Sequence, residues 1–310
     1  MTSAAFRWHP SNGPGEAALA RMRKAFPRPD SPMGEAWFMG ETRYMFTNLM
    51  GDLDGLPIKE LDKPLEEIAG GASSFGPSDE WRDWFHYLLP RLIPRANESW
   101  VSTLGETLVT AFMAVYPAGV VEPPYKLFRE DAINTLGRVL VLPSCWHNGR
   151  IVLGAVLHRH AWPDGRWGWH DASGDLSASM AFLLKYLTPD DVQSWIRSAL
   201  LIECPYWHAQ LLTWFVGGHG LLTGDVKSPS ELQRSGEPAI HWNWSHCLKG
   251  DPSNKDGPFF PPENRRAVLD ALAESMNEEI LLQWLASIAE LPELEAELFD
   301  IPDQFMERYL

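Results

Sequence analysis

The stretch SDEWRDWFHYLLPRLIPRA, residues 78 to 96, restricts the chain to helical packing more than any other. Its apolar side chains are Trp81, Trp84, Phe85, Leu88, Leu89 and Leu92. That is the i, i+3, i+4, i+7 spacing of one α-helical face. Ser78 suits the N-cap, acids fill the first turn, and Pro90, lacking an N–H, is expected to kink the helix or end its regular part a turn earlier. The same spacing returns along the chain. Between Glu98 and Tyr116, Val101, Leu104, Leu108, Ala111, Phe112 and Val115 form a stripe stopped by Pro117 and Gly119, and Phe128, Ala132, Leu136, Val139 and Leu140 form another before Pro143. A helix is expected over 176–187. Thr188-Pro189-Asp190-Asp191 is a strong start for the next, which carries Val192, Trp195, Ile196, Ala199 and Leu200. Pro205 opens a helix with Trp207, Leu211, Trp214 and Phe215, and Gly217-Gly218 is its expected stop. Val268, Ala271 and Leu272 belong to a later helix, Ile280, Leu281, Trp284, Leu285 and Ile288 to another, and Leu291-Pro292 begins a last short one.

No stretch alternates strands with helices as a parallel sheet requires. The expected fold class is therefore all-α, an irregular multi-helix stack or bundle. Helix starts near 78, 98, 124, 173, 189, 205, 262 and 276 give a rhythm that resembles the helical hairpins of HEAT and armadillo solenoids. The likeness is one of rhythm; no residue motif repeats at a fixed period, so no binding residue is carried over, and a compact bundle fits the same pattern. Trp162-Pro163-Asp164-Gly165 is a turn signal between VLHRH and RWGWH. It allows a small β-hairpin near 157–170, though a helix ending near His160 and followed by a long loop is the preferred reading. Residues 1–32, rich in Pro, Gly and Ser, read as a loosely ordered arm with one short helix around Glu16 to Ala25. Residues 33–310 read as one helical domain containing a long loop, 221–261, and acidic C-terminal helices, 262–310.

The formal net charge is −15, and from Glu263 onward 12 acids face 3 bases. A broadly negative surface disfavours a phosphate backbone, which binding proteins neutralise with Lys and Arg. Nucleic acid is therefore not an expected partner, whereas a basic protein is. The longest uncharged, mainly apolar run, 107–121, holds Pro117 and Gly119 and is shorter than the ~18 residues a membrane helix needs. Three cysteines, Cys145, Cys204 and Cys247, form no C-x-x-C pair. That sparse, odd count fits a reducing compartment, and the N-terminus has no apolar signal core, so a cytoplasmic protein is expected.

Two groups of side chains offer metal-ligand chemistry. His158, His160, His170 and Asp171, with Asp175 following, supply the imidazoles and carboxylates that a catalytic zinc uses. The pair His158-x-His160 resembles the first ligands of metallo-β-lactamase-type and amidohydrolase-type zinc enzymes. It departs from the former because Ala161, Trp162 and Pro163 follow where an Asp and a His are expected, and both classes need many strands. On a helix the two rings point about 200° apart. The second group is His241, His246 and Cys247 in HWNWSHC. Five residues separate the two histidines, which suits neither one helix face nor one strand face. An aromatic plug, with Trp242 and Trp244 seating the long loop on the helices, is the preferred reading of this segment.

Nucleophile signals are sparse. No G-x-S-x-G elbow occurs, Cys145-Trp146-His147 is close only in sequence, and Cys204 becomes interesting only if it stands at a helix N-terminus. Gly217-Gly218-His219-Gly220 lacks the Lys-Ser/Thr of a phosphate loop, and Asp190-Asp191 suits a helix start. The expectation is thus a non-enzymatic helical protein-binding module of adaptor or immunity type, with no cofactor. The alternatives are a metal-dependent hydrolase using a His/Asp cluster, and a helical pocket for an apolar small molecule lined by Trp and Met.

Overall fold

The structure is a computed structural model, and the residues described are 5–34, 45–71, 78–97, 104–152, 160–161, 167–168, 171–234, 238–249, 257–291, 298 and 300–310. Among them are twelve α-helices, and the only strands pair as three two-residue antiparallel ribbons. The helices are α1 Glu16–Ala25, α2 Ile58–Gly71, α3 Ser78–Leu92, α4 Leu104–Val115, α5 Phe128–Thr135 and α6 Gly174–Tyr186. They continue with α7 Pro189–Leu200, α8 Pro205–Gly217, α9 His219–Thr223, α10 Pro262–Ser275, α11 Glu278–Ala289 and α12 Ile301–Tyr309. The all-α expectation holds.

The stripes read from the sequence face inward. Trp81, Trp84, Phe85, Phe112, Phe128, Trp195, Trp207 and Trp214 are all at most 1% exposed. Buried apolar residues from Phe6 to Phe305 form one contiguous cluster. Helix packing joins elements far apart in sequence: α10 lies on α7, α12 and α11 lie on α8, and α1 lies on both α3 and α5. A solenoid stacks each hairpin on its sequence neighbours. Of the two arrangements the rhythm allowed, these contacts describe the irregular bundle.

Several local expectations need correction. The N-terminal segment is packed rather than loose. Trp8 is 2% exposed, meets Trp195 and Trp207 edge-on at 5.3 and 5.6 Å, and donates its indole N–H to the Gly137 carbonyl. The backbone is tied to α7, with Phe6 N–H donating to Asp191 Oδ1 and Trp8 N–H to Ser198 Oγ. Two large aromatics in a polar arm outweigh its Pro, Gly and Ser content. Helix α3 runs through Pro90 to Leu92, although Pro90 has no N–H for the His86 carbonyl; Arg91 Nη1 donates to the adjacent Tyr87 carbonyl. Gly217-Gly218 does stop α8, as expected, with Gly218 as its C-cap; the short α9 then starts at His219 and ends at Gly224, φ +91°.

The helix expected to end near His160 falls mostly on residues outside those described; its described ends, Arg150–Ile151 and His160–Ala161, are strands. His147 and Arg150 pair across Asn148-Gly149, both at positive φ, in a tight ribbon, and His160–Ala161 pairs with Trp167–Gly168. The antiparallel pairing fits the β-hairpin alternative, while Pro163, Asp164 and Gly165 themselves lie outside the described residues. The segment 221–261 is not a bare loop either, since 3₁₀ turns at Pro229–Arg234 and Ser245–Cys247 order it.

Candidate functional site

HWNWSHC is seated on a layer built by α2, α4 and α6. Trp242 is buried, and its indole N–H donates to Thr110 Oγ1 at 2.9 Å. The Asn243 N–H donates to Glu106 Oε2 at 2.6 Å, and the Trp244 indole N–H to Glu66 Oε1 at 3.2 Å. Trp244 stands in the left-handed region at φ +64°, which a bulky side chain avoids. Its ring is held from both sides, by Glu66 and by a stack on His246 at 5.5 Å. Those contacts maintain a conformation that costs of order 1–3 kcal/mol. The segment is thus an aromatic plug, with Trp242 inserted and Trp244 half-exposed, not two rings on one face.

Beneath the plug lies a carboxylate layer that the sequence reading missed. Asp62 and Glu66 come from α2, Glu106 from α4 and Asp175 from the first turn of α6. Glu106 and Asp175 are each 4% exposed. Burial, the Asp175 charge and, more weakly, Asp62 push the Glu106 carboxyl up to about 8; the Asn243 N–H opposes this without overcoming it. Burial and the neighbouring Asp62 also raise Glu66, and burial raises Asp62 against a bond from Thr107. Glu106 is therefore a neutral acid at pH 7, which suits one oxygen to accept from Asn243. Two glycines permit the approach of α4 to α6. A Cβ on Gly105 would lie 3.0 Å from Asp175 Oδ1, and one on Gly174 would overlap the Glu106 carboxyl.

The ligand candidates are placed as follows. His158 and His170 lie outside the described residues, and His160 is described only as backbone in its ribbon. Asp171 is engaged structurally: its Oδ1 accepts the Ala239 N–H at 2.8 Å while Ala172 N–H donates to the Ala239 carbonyl. This two-bond clamp fixes the strand-like strap that enters the plug. His241 and His246 are exposed and Cys247 is half-buried. No group of three His, Cys, Asp or Glu side chains among the described residues could hold a metal ion.

The nucleophile candidates are equally unassembled. Cys145 is fully buried, its thiol pushed up to about 11 by burial, while His147 is exposed. Cys204 is indeed the N-cap of α8, but it is fully buried and its side chain makes no capping bond.

Among the described residues there is also a cleft of about 690 Å³ between the α7–α8 corner and α11. Leu200, Met276, Ile280 and Trp284 give it apolar walls, and His208 lies flat on Trp284, ring centroids 4.1 Å apart and planes within 3°. The apolar stripe of α8 does not single out His208; its position one turn after Cys204 is the signal that the sequence offers.

Around the outside, α10, α11 and α12 present Glu263, Asp270, Glu274, Glu278, Glu279, Glu290, Asp303 and Glu307 to solvent, with Arg266 and Arg308 as the exposed bases. Leu282 on α11 is 58% exposed beside Glu278 and Glu279, one turn earlier on the same face. Among the described residues no helix is long and apolar enough to cross a membrane. No family model matches the chain, and neither a curated protein nor a solved structure matches it.

Proposed function

We propose that this chain is a non-enzymatic, cytoplasmic protein-binding module of adaptor or immunity type, and that its acidic C-terminal helices receive a basic partner protein. The observation that carries the reading is Leu282, exposed on the outer face of α11 one turn after Glu278 and Glu279. A lone exposed leucine is ordinary. Met306 on α12 and Leu310 just after it, 41% and 48% exposed, are further exposed apolar side chains on an element that also carries Asp303, Glu307 and Arg308. Exposed apolar side chains near acids suit a partner that brings cations to the rim and buries the leucine at the centre. Steering by a net charge of −15 accelerates such an encounter at low ionic strength.

The test is affinity capture from an extract of the encoding organism, using the full chain and a Glu278→Lys/Glu279→Lys/Leu282→Asp variant. These positions are solvent-facing, so the variant keeps the fold. The expected result is a basic protein held by the native chain, released by added salt and absent with the variant. Recovery of no protein, or equal recovery with the variant, rejects the reading.

A further inference from the structure

We infer that Asn148 is a site of covalent self-modification: in the folded chain the backbone nitrogen of Gly149 attacks its side-chain amide, and the residue becomes aspartate or isoaspartate. The reaction needs a following residue without a side chain, an accessible backbone N–H, and a turn able to open. The Asn148-Gly149 turn meets all three conditions.

The dipeptide joins Trp146–His147 to Arg150–Ile151, with φ +51° at Asn148 and +76° at Gly149. Residues 147–150 are all exposed. Nothing lies within 4 Å of the Cβ position of Gly149, and its N–H meets no acceptor among the described residues. The strands that hold the turn are two residues each, extended by one bond from Val152 N–H to the Cys145 carbonyl. So short a ribbon opens more readily than the helical layers beneath it.

Asn12-Gly13 is the same dipeptide, and the fold restrains it. Asn12 N–H donates to the His9 carbonyl at 2.8 Å, and its own carbonyl accepts from Arg138 Nη1 at 3.4 Å. Gly13 lies so close to Pro143 that a Cβ there would stand 2.9 Å from the proline Cδ. Every other asparagine precedes a residue with a side chain.

In the reaction Gly149 N gives its proton to solvent base and bonds to Asn148 Cγ. The Cγ–Nδ2 bond breaks, and the nitrogen leaves as ammonia after taking a proton from solvent or from the exposed His147 ring, whose Nε2 lies 3.3 Å from Nδ2. Water then opens the cyclic imide. Attack at Cγ gives aspartate, and Asp-Gly suits the same turn. Attack at the main-chain carbonyl gives isoaspartate, which routes the backbone through Cβ and lengthens the turn. Either product places a carboxylate on a groove of about 910 Å³ that Arg7, Trp146, Ser198 and Glu203 also line. Loss of ammonia makes the change one-way, so the groove gains negative charge with the age of the molecule. No residue of α10–α12 lines this groove, and the inference is independent of the acidic face.

The test holds the full chain in mildly alkaline buffer for several weeks, folded and in urea. Peptide mapping by mass spectrometry then follows each asparagine, and enzymatic methylation counts isoaspartate. In the folded chain residue 148 is expected to convert roughly tenfold faster than residue 12, and in urea the two are expected to converge. Asn148→Gln, whose longer side chain must close a larger ring, is expected to stay unmodified at 148. The inference is overturned if residue 148 remains asparagine in the folded chain, if residue 12 converts as fast there, or if urea leaves their difference unchanged.

Discussion

Glu106 on α4 lies directly against Gly174 at the start of α6, so closely that a Cβ at 174 would stand 2.5 Å from the Glu106 carboxyl carbon. Glu106 cannot swing aside, because Asn243 holds one oxygen and Asp175 adjoins the other side of the layer. Gly174→Ala is therefore expected to destabilise the protein by about 1–3 kcal/mol, and chemical denaturation with an unchanged m-value measures it. A neutral outcome would mean that α4 and α6 can part at no cost.

The protonation of Glu106 gives stability a definite pH slope. The folded chain keeps this proton up to about pH 8, the unfolded chain releases it near 4.5, so between them stability falls as pH rises. His86 and His208, lowered to about 4 by burial, act the other way, but only below 6.5, where the unfolded chain binds their protons. From pH 6.5 to 8 the fall due to Glu106 is thus unopposed by the histidines. Urea midpoints across that range are expected to drop for the native chain. Glu106→Gln, which keeps a neutral acceptor for Asn243, is expected to flatten the drop; an equally steep drop in the variant would place the titration elsewhere.

Trp8 ties the first residues to α7 and α8. Trp8→Ala removes a buried indole, its bond to Gly137 and two edge contacts, and is expected to cost about 3–5 kcal/mol. Chemical denaturation decides between this anchor and a dispensable arm, which would tolerate the change.

Gly217 lets the strap before the plug lie on the end of α8. A Cβ there would overlap the Pro238 carbonyl and approach Ile240 Cγ2 to 2.7 Å. Backbone cannot yield cheaply, so Gly217→Ala is expected to loosen the strap. Limited proteolysis is expected to cut the variant near residues 238–249 faster than the native chain. Unchanged cleavage would show that the plug is held by Trp242 and Glu106 alone.

The helices were legible because the core is made of large apolar residues at helical spacing; the cap expected at Thr188 is real and accepts a backbone N–H three residues on. What escaped was polar and long-range. Helix α2 carries Leu61, Leu65 and Ile68 at i, i+4, i+7 but also Pro64, which masked it. Glu106 is the one charge between Glu98 and Glu122, a signal that a helix stripe read only for its apolar members passes over. Asn148-Gly149 is a strong hairpin dipeptide, hidden because its strands are only two residues long. The Glu106–Asn243 and His208–Trp284 relations join residues 137 and 76 positions apart, a distance no local pattern encodes.

The most direct measurement of the acidic face is hydrogen–deuterium exchange of the full chain with and without the captured basic protein. The expected result is slowed exchange over Glu278–Ala289 and Ile301–Tyr309, weakening as salt is raised. Protection confined to α1–α6, or protection at α11 indifferent to salt, would contradict a charge-steered partner docking around Leu282.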